Sequence, residues 1–184
     1  MEGGISERME LVIPSFHTGI KQRVLDFCKD DNSMLLSNHK HDNKWAGPGM
    51  YFWDNLGNAK WWLSTRHDKE NRTICQCYLK INEVELLDFT DMSIAESMQK
   101  LIVIMEKNEE VFALDEVGIK IAFLAKRLNS KAIKLMGDYP NMKRSDFFSS
   151  PAKGAVPNIS SRVIYCVREG NSDILVSRKE IGSA

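Results

Sequence analysis

The stretch GPGMYFWDNLGNAKWW, residues 47 to 62, opens on a Gly-Pro-Gly hinge and then carries five aromatic side chains. So much aromatic surface beside a hinge is a candidate ligand wall. Gly47 and Gly49 let the backbone turn sharply and come close to a ligand, while Tyr51, Trp61 and Trp62 offer faces for stacking. On a helix Trp61 and Trp62 point about 100° apart, so only one of them can line a pocket. Upstream, PSFHTG sets His17, Thr18 and Gly19 at the end of an apolar run. A histidine there is either a structural residue satisfied by its neighbours or a hydrogen-bonding group aimed at a ligand. CQC at 75 to 77 and HKH at 39 to 41 could meet as a Cys2His2 site, but neither has the spacing of the usual zinc knuckles. The expectation is no metal, with Cys75 and Cys77 on one face of a strand as small apolar fillers.

These residues need elements to hold them. LVIPSF (11 to 16) reads as a strand that delivers His17-Thr18-Gly19 to a turn, and GIKQRVLDFC as a helix with Ile20, Val24 and Phe27 on one face. SMLLSN is a short strand candidate, HKHDNKWAGP a polar loop, GMYFW a strand, and DNLGNAKWWLST a helix opened by Asp54 as N-cap. RTICQCYLKI and VELLDFT read as two strands or one bent strand. Ile94, Met98, Leu101, Ile102 and Met105 form one helical stripe, and Val117, Ile121, Leu124 and Leu128 another, both suited to a core. AIKLMGDY returns to strand, and SRVIYCVRE and DILVSRKEI are strands joined by a GNS turn. Between them PNMKRSDFFSSPAKGAVPNI holds three prolines and no periodicity, and such loops are usually functional or mobile. Its Phe147 and Phe148, beside Lys143 and Arg144, suit substrate contact or else pin the loop to the core. The order of elements predicts an α+β fold in a single domain over residues 1–184.

Composition narrows the function classes. The chain of 184 residues is 43% hydrophobic, enough for a sizeable core. Lys plus Arg and Asp plus Glu stand at 25 each, which excludes attachment to nucleic acid or an anionic membrane by bulk charge but leaves local basic patches open. No stretch approaches the roughly 18 apolar residues of a membrane span. The first residues also lack the basic start and apolar run of a secretory signal. The expectation is a cytoplasmic protein with no membrane partner and its four cysteines reduced.

Taken in order, FHTG and then GPGMYFWDNLGNAKWW resemble the His-Tyr clade of ADP-ribosyltransferases, the group of diphtheria toxin and the poly(ADP-ribose) polymerases. In that family a His-Gly-Ser or His-Gly-Thr turn follows the first strand. A Gly-x-Gly-x-Tyr-Phe strand then enters a helix bearing a second aromatic residue eleven positions after the tyrosine, which here is Trp62. The likeness covers residues 11 to 65, and beyond them only the order of elements agrees. It implies a split β-sheet core with flanking helices, NAD as co-substrate, and transfer of ADP-ribose to a macromolecular acceptor, protein or nucleic acid. By the same resemblance, Tyr51 and Trp62 grip the nicotinamide ring, which is flat and cationic while attached to ribose, by stacking and cation–π attraction. His17 hydrogen-bonds the adenosine ribose, and the backbone of the next residue holds the carboxamide. That residue is Thr18, with Gly19 one place late against the family's His-Gly order, so Thr18 can serve only if its backbone angles suit the role. Gly19 and Gly49 complete the implied NAD-binding set.

The family closes its site with a glutamate at the head of a late strand. SRVIYCVRE matches that strand, but the glutamate falls on Ser161 or Arg162. The expected catalytic set is therefore His17, Tyr51 and Arg162, with Glu169 or Asp173 able to supply a carboxylate only by folding back from the following turn. Chain elongation is not expected without the acid; mono-ADP-ribosylation is, with simple NAD cleavage left open beside it. Two alternatives stay open: an RNA 2′-phosphotransferase, which shares the fold and uses arginines around a histidine, and a non-catalytic module that binds NAD, ADP-ribose or a protein.

Overall fold

Alternating residues build the first strand, β1 (Glu10–Ile20), which runs longer than the sequence predicts. The computed structural model describes residues 9–37, 40–108, 116–139 and 161–182. His39 and the 140–159 segment with Lys143, Arg144, Phe147 and Phe148 lie outside the described residues. His17, Thr18 and Gly19 continue β1 instead of forming a turn, because each pairs with β3 (Arg72–Asn82): His17 opposite Cys75, Thr18 opposite Ile74, Gly19 opposite Thr73. The first helix, α1 (Lys21–Lys29), follows at once and buries Val24 and Phe27. Ile20 ends the strand with 43% of its surface exposed.

The described part of SMLLSN, residues 33–37, forms no strand; among these residues only Ser37 pairs, as an isolated bridge to Gly49. A 3-10 turn (Lys40–Lys44) leads to β2 (Met50–Trp53) and α2 (Leu56–Ser64). The cap of α2 is Asn55 rather than Asp54. The Asn55 side chain accepts from the Asn58 N–H at 2.8 Å, while Asp54 is committed to the Asn58 side-chain amide at 2.7 Å. After β3 come β4 (Leu86–Asp88), α3 (Met92–Lys107), α4 (Val117–Arg127), β5 (Ala132–Asp138), β6 (Ser161–Val167) and β7 (Leu175–Glu180).

Among the described residues the fold is α+β, four α-helices on a seven-stranded mixed sheet of order β4-β5-β6-β2-β1-β3-β7, with only β4 and β5 parallel. Each neighbouring pair is zipped over several residues except one. β1 and β2 share the single register pair Phe16 with Trp53. Beyond it the strands part, and backbone groups of residues 17 to 20 on that side are not covered by β2.

Helices pack on the sheet through three apolar clusters. Val24 and Phe27 of α1 meet Met50, Phe52, Cys75, Cys77 and Leu79. Met105 of α3 and Ile121 and Leu124 of α4 meet Leu87, Ile133 and Cys166, with Ile94, Met98, Leu101 and Ile102 alongside as the stripe predicts. The ends of the α4 stripe, Val117 and Leu128, are 53% and 43% exposed. Ala59 and Leu63 of α2 meet Trp53, Ile74 and Ile164. Each fully buried side chain of this size contributes about 1.5–3 kcal/mol. Cys75 and Cys77 are wholly buried fillers. Among the described residues no helix is long and apolar enough to cross a membrane.

Candidate functional site

The parting of β1 and β2 opens a cavity of about 910 Å³, within the range of ~300–1,000 Å³ typical of small-molecule sites. His17, Thr18 and Gly19 of β1, Tyr51 of β2 and Trp62 of α2 all face it. Residues more than thirty positions apart in the chain are thus brought to one wall by a single break in sheet pairing. Trp61, as its angle predicts, is not on that wall; it packs against Trp53 and Tyr139.

Two expected residues stand elsewhere. A Cβ on Gly49 would lie 2.8 Å from the Val167 carbonyl oxygen and closer still to Cys166 Sγ. This glycine is required by the close passage of β6 rather than by a ligand. Arg162 is absent from the wall too: its Nη1 donates to Asn58 Oδ1 at 2.5 Å and its guanidinium lies 4.6 Å over Trp61. Neither Glu169 nor Asp173 folds back to replace it. Ser161 pairs with Asp138 at the cavity end of β6, whereas Glu169 is exposed in the turn beyond the other end and Asp173 pairs with Lys131 at 3.6 Å.

The His17 ring fills the gap between the parted strands. Its Nδ1 lies 2.8 Å from the Tyr51 carbonyl oxygen. A carbonyl only accepts, so Nδ1 carries the hydrogen and Nε2 keeps a lone pair for a donor. Phe52 meets the ring edge-on at 5.8 Å, and a Cβ on Gly19 would come within 2.9 Å of Nε2. Gly19 therefore serves by leaving room for the imidazole. Thr18 has no positive φ, which removes the conflict with its branched side chain, and its hydroxyl donates to the Ala59 carbonyl at 3.1 Å, fastening β1 to α2. The Tyr51 hydroxyl donates to the Gly47 carbonyl and accepts from the Ala46 N–H at 3.3 Å. Burial raises its pKa well above the phenolic norm, so the hydroxyl stays protonated.

Sequence reasoning missed the charges. Arg23, Arg66 and Arg72 line the cavity against one carboxylate, Asp42. A chain of zero net charge therefore carries a basic cleft. Arg72 is partly neutralised by Asp68 at 2.7 Å. Arg66 lies 3.6 Å over the Trp62 ring, and its buried Nε has no hydrogen-bond partner among the described residues. Desolvation, then Arg72, lowers the Arg66 pKa. The available signal was Arg66 four residues after Trp62, a spacing at which side chains on a helical turn meet.

Among the described residues no group of His, Cys, Asp or Glu is arranged to hold a metal ion. Comparison of the chain with protein-family models, curated proteins and solved structures returns no match.

The half-buried imidazole gives a testable pH dependence. Desolvation, against the Tyr51 hydrogen bond and helped by Arg23 and Arg72, lowers the His17 pKa from 6.5 to about 4. Between these values the unfolded chain binds the proton and the folded one does not. The His17 contribution to stability is thus complete above pH 6.5 and is lost as pH falls toward 4, at up to about 1.4 kcal/mol per unit. Urea midpoints of the native chain and His17→Gln, compared at pH 7 and pH 4.5, should show a steeper acid loss in the native chain. Parallel pH profiles would contradict a neutral half-buried histidine.

Proposed function

We propose that the chain is an NAD-dependent mono-ADP-ribosyltransferase whose parted sheet is the split core of that fold. The observation that carries this reading is the convergence of His17, Thr18, Tyr51 and Trp62 on one cavity where β1 and β2 share a single register pair. Aromatic faces at Tyr51 and Trp62 suit a flat pyridinium. The His17 Nε2 lone pair suits a ribose hydroxyl, and the guanidiniums of Arg23, Arg66 and Arg72 suit a diphosphate. In the reaction the bond from ribose C1′ to the nicotinamide nitrogen breaks and its electron pair neutralises the ring. A nucleophile of the acceptor then bonds to C1′ and gives up its proton.

The test is incubation of the purified chain with adenylate-labelled NAD and a lysate digest of proteins and nucleic acids. Label retained on a macromolecule, with free nicotinamide released in step, is the expected result. Binding without nicotinamide release would instead indicate a non-catalytic module. Arg23, Arg66 and Arg72 around His17 also favour a second reading, an RNA 2′-phosphotransferase acting with NAD. Loss of a 2′-phosphate from an oligoribonucleotide, with no stable label on a macromolecule, would select it.

A further inference from the structure

We infer that Asp42 supplies the catalytic carboxylate that the head of β6 lacks, facing ribose C1′ from the loop before β2. This rests on the transferase reading. Among the described residues Asp42 is the one carboxylate on the cavity wall. Other acids nearby are committed: Asp68 to Arg72, Asp54 to Asn55 and Asn58, and Glu180 to the Thr73 hydroxyl.

Asp42 is held as a positioned group. Ser37 Oγ donates to its Oδ2 at 2.8 Å, and Ser37 is itself bound through its backbone to Gly49 at 2.8 and 3.0 Å. The Asp42 carbonyl accepts from Trp45 and Gly47 N–H groups, each at 2.9 Å. α4 supports the turn from behind: a Cβ on Gly118 would fall 2.5 Å from the Asn43 carbonyl oxygen and 2.7 Å from that of Asp42. Its Oδ1 accepts no hydrogen bond from a described residue and stays available.

Position along the cavity argues for the role. Gly47 receives the Tyr51 hydroxyl on its carbonyl and gives its N–H to the Asp42 carbonyl, so the backbone that carries Asp42 and the Tyr51 ring share one support. The charges around the two walls differ in sign: Arg23 and Arg72 bear on His17, and Asp42 bears on Tyr51. A cavity lined by Asp42 as well as by Arg23, Arg66 and Arg72 offers both signs of charge to a ligand that is cationic at its pyridinium and anionic at its diphosphate. As the C1′–N bond breaks, positive charge moves onto C1′ and the ribose ring oxygen, where a fixed carboxylate stabilises it. When the acceptor bonds to C1′, its proton passes to Asp42 Oδ1 and on to water, which restores the carboxylate.

The experiment measures two quantities on the full chain. NAD binding is read from quenching of tryptophan fluorescence, since Trp45, Trp53 and Trp62 line the cavity, and turnover from nicotinamide release. Asp42→Asn should bind NAD within about threefold of the native chain and release nicotinamide about 100-fold or more slowly, the scale for loss of one electrostatic catalytic group. Asp42→Glu should recover part of the rate. If Asp42→Asn lowers the thermal midpoint severely, Ser37→Ala leaves the charge in place but unanchors it, and should slow turnover several-fold with binding kept. Turnover unchanged in Asp42→Asn or Ser37→Ala overturns the role while the transferase reading stands. So does a joint loss of binding and turnover in a folded Asp42→Asn, which would make Asp42 part of the binding wall. A native chain that binds NAD and releases no nicotinamide overturns the role and the transferase reading together.

Discussion

If the proposed transferase reading holds, NAD affinity should fall at least about a hundredfold when Arg23 and Arg66 are both replaced by glutamine. Each guanidinium that meets a phosphate oxygen in this partly desolvated cavity is worth about 1.5–3 kcal/mol as a charge-assisted hydrogen bond. Two of them give about 3–6 kcal/mol, or roughly 10²- to 10⁴-fold in the dissociation constant. Arg66 carries more of it, because its Nε is buried without a partner among the described residues and its planar group is already oriented by Trp62 at 3.6 Å. Arg162→Gln is the contrast, since Arg162 lies over Trp61 and off the cavity wall. That change should lower the thermal midpoint and leave NAD binding alone. Fluorescence titration at low and high ionic strength reads both effects. The native affinity should weaken with salt, and the double variant, which keeps only Arg72, should weaken with salt less steeply. An unchanged affinity in the double variant would mean that the diphosphate lies elsewhere, and a drop confined to Arg162→Gln would put the site beyond Trp61.

The parts of this site that could be read from the sequence are local. Tyr51 and Trp62 sit on one strand and the helix directly after it, so an eleven-residue interval is enough to place both on the same wall, and helical geometry alone turns Trp61 away. Stripes such as Ile94 to Met105 were legible for the same reason. What depends on distant pairing was not. His17 to Gly19 look like a strand end until β3, more than fifty residues on, supplies a partner for each of them. Gly49 looks like a ligand contact until β6 passes against it. Glu169 and Asp173 look close to the head of β6 in sequence, but they follow its opposite end, where Lys131 holds Asp173. Arg23, Arg66 and Arg72 come from a first helical turn, the residue beyond a helix end and the start of a strand, and no single period connects them. Charge balance over the whole chain concealed their convergence.

Tyr51 separates ring from hydroxyl, and the two substitutions should differ by an order of magnitude in binding. Tyr51→Ala removes a stacking face, worth about 1–3 kcal/mol against a planar base, and leaves a void where the ring packs beside both the α4 and the α2 clusters. Truncation of a large aromatic at such a position costs about 3–5 kcal/mol of stability, so its binding has to be measured at low temperature on chain shown to be folded. Tyr51→Phe keeps the ring and deletes the bonds to the Gly47 carbonyl and the Ala46 N–H. The hydroxyl points into its own loop, so NAD affinity should hold within a few-fold while stability drops by about 1–3 kcal/mol for the buried groups left without partners. The same loss loosens the turn that carries Asp42, because Gly47 N–H is one of the two donors on the Asp42 carbonyl. Turnover in Tyr51→Phe should therefore fall more than affinity does. Equal loss of affinity in folded Phe and Ala variants would assign the working contact to the hydroxyl, and the stacking wall would have to be sought at Trp45 or Trp62 instead.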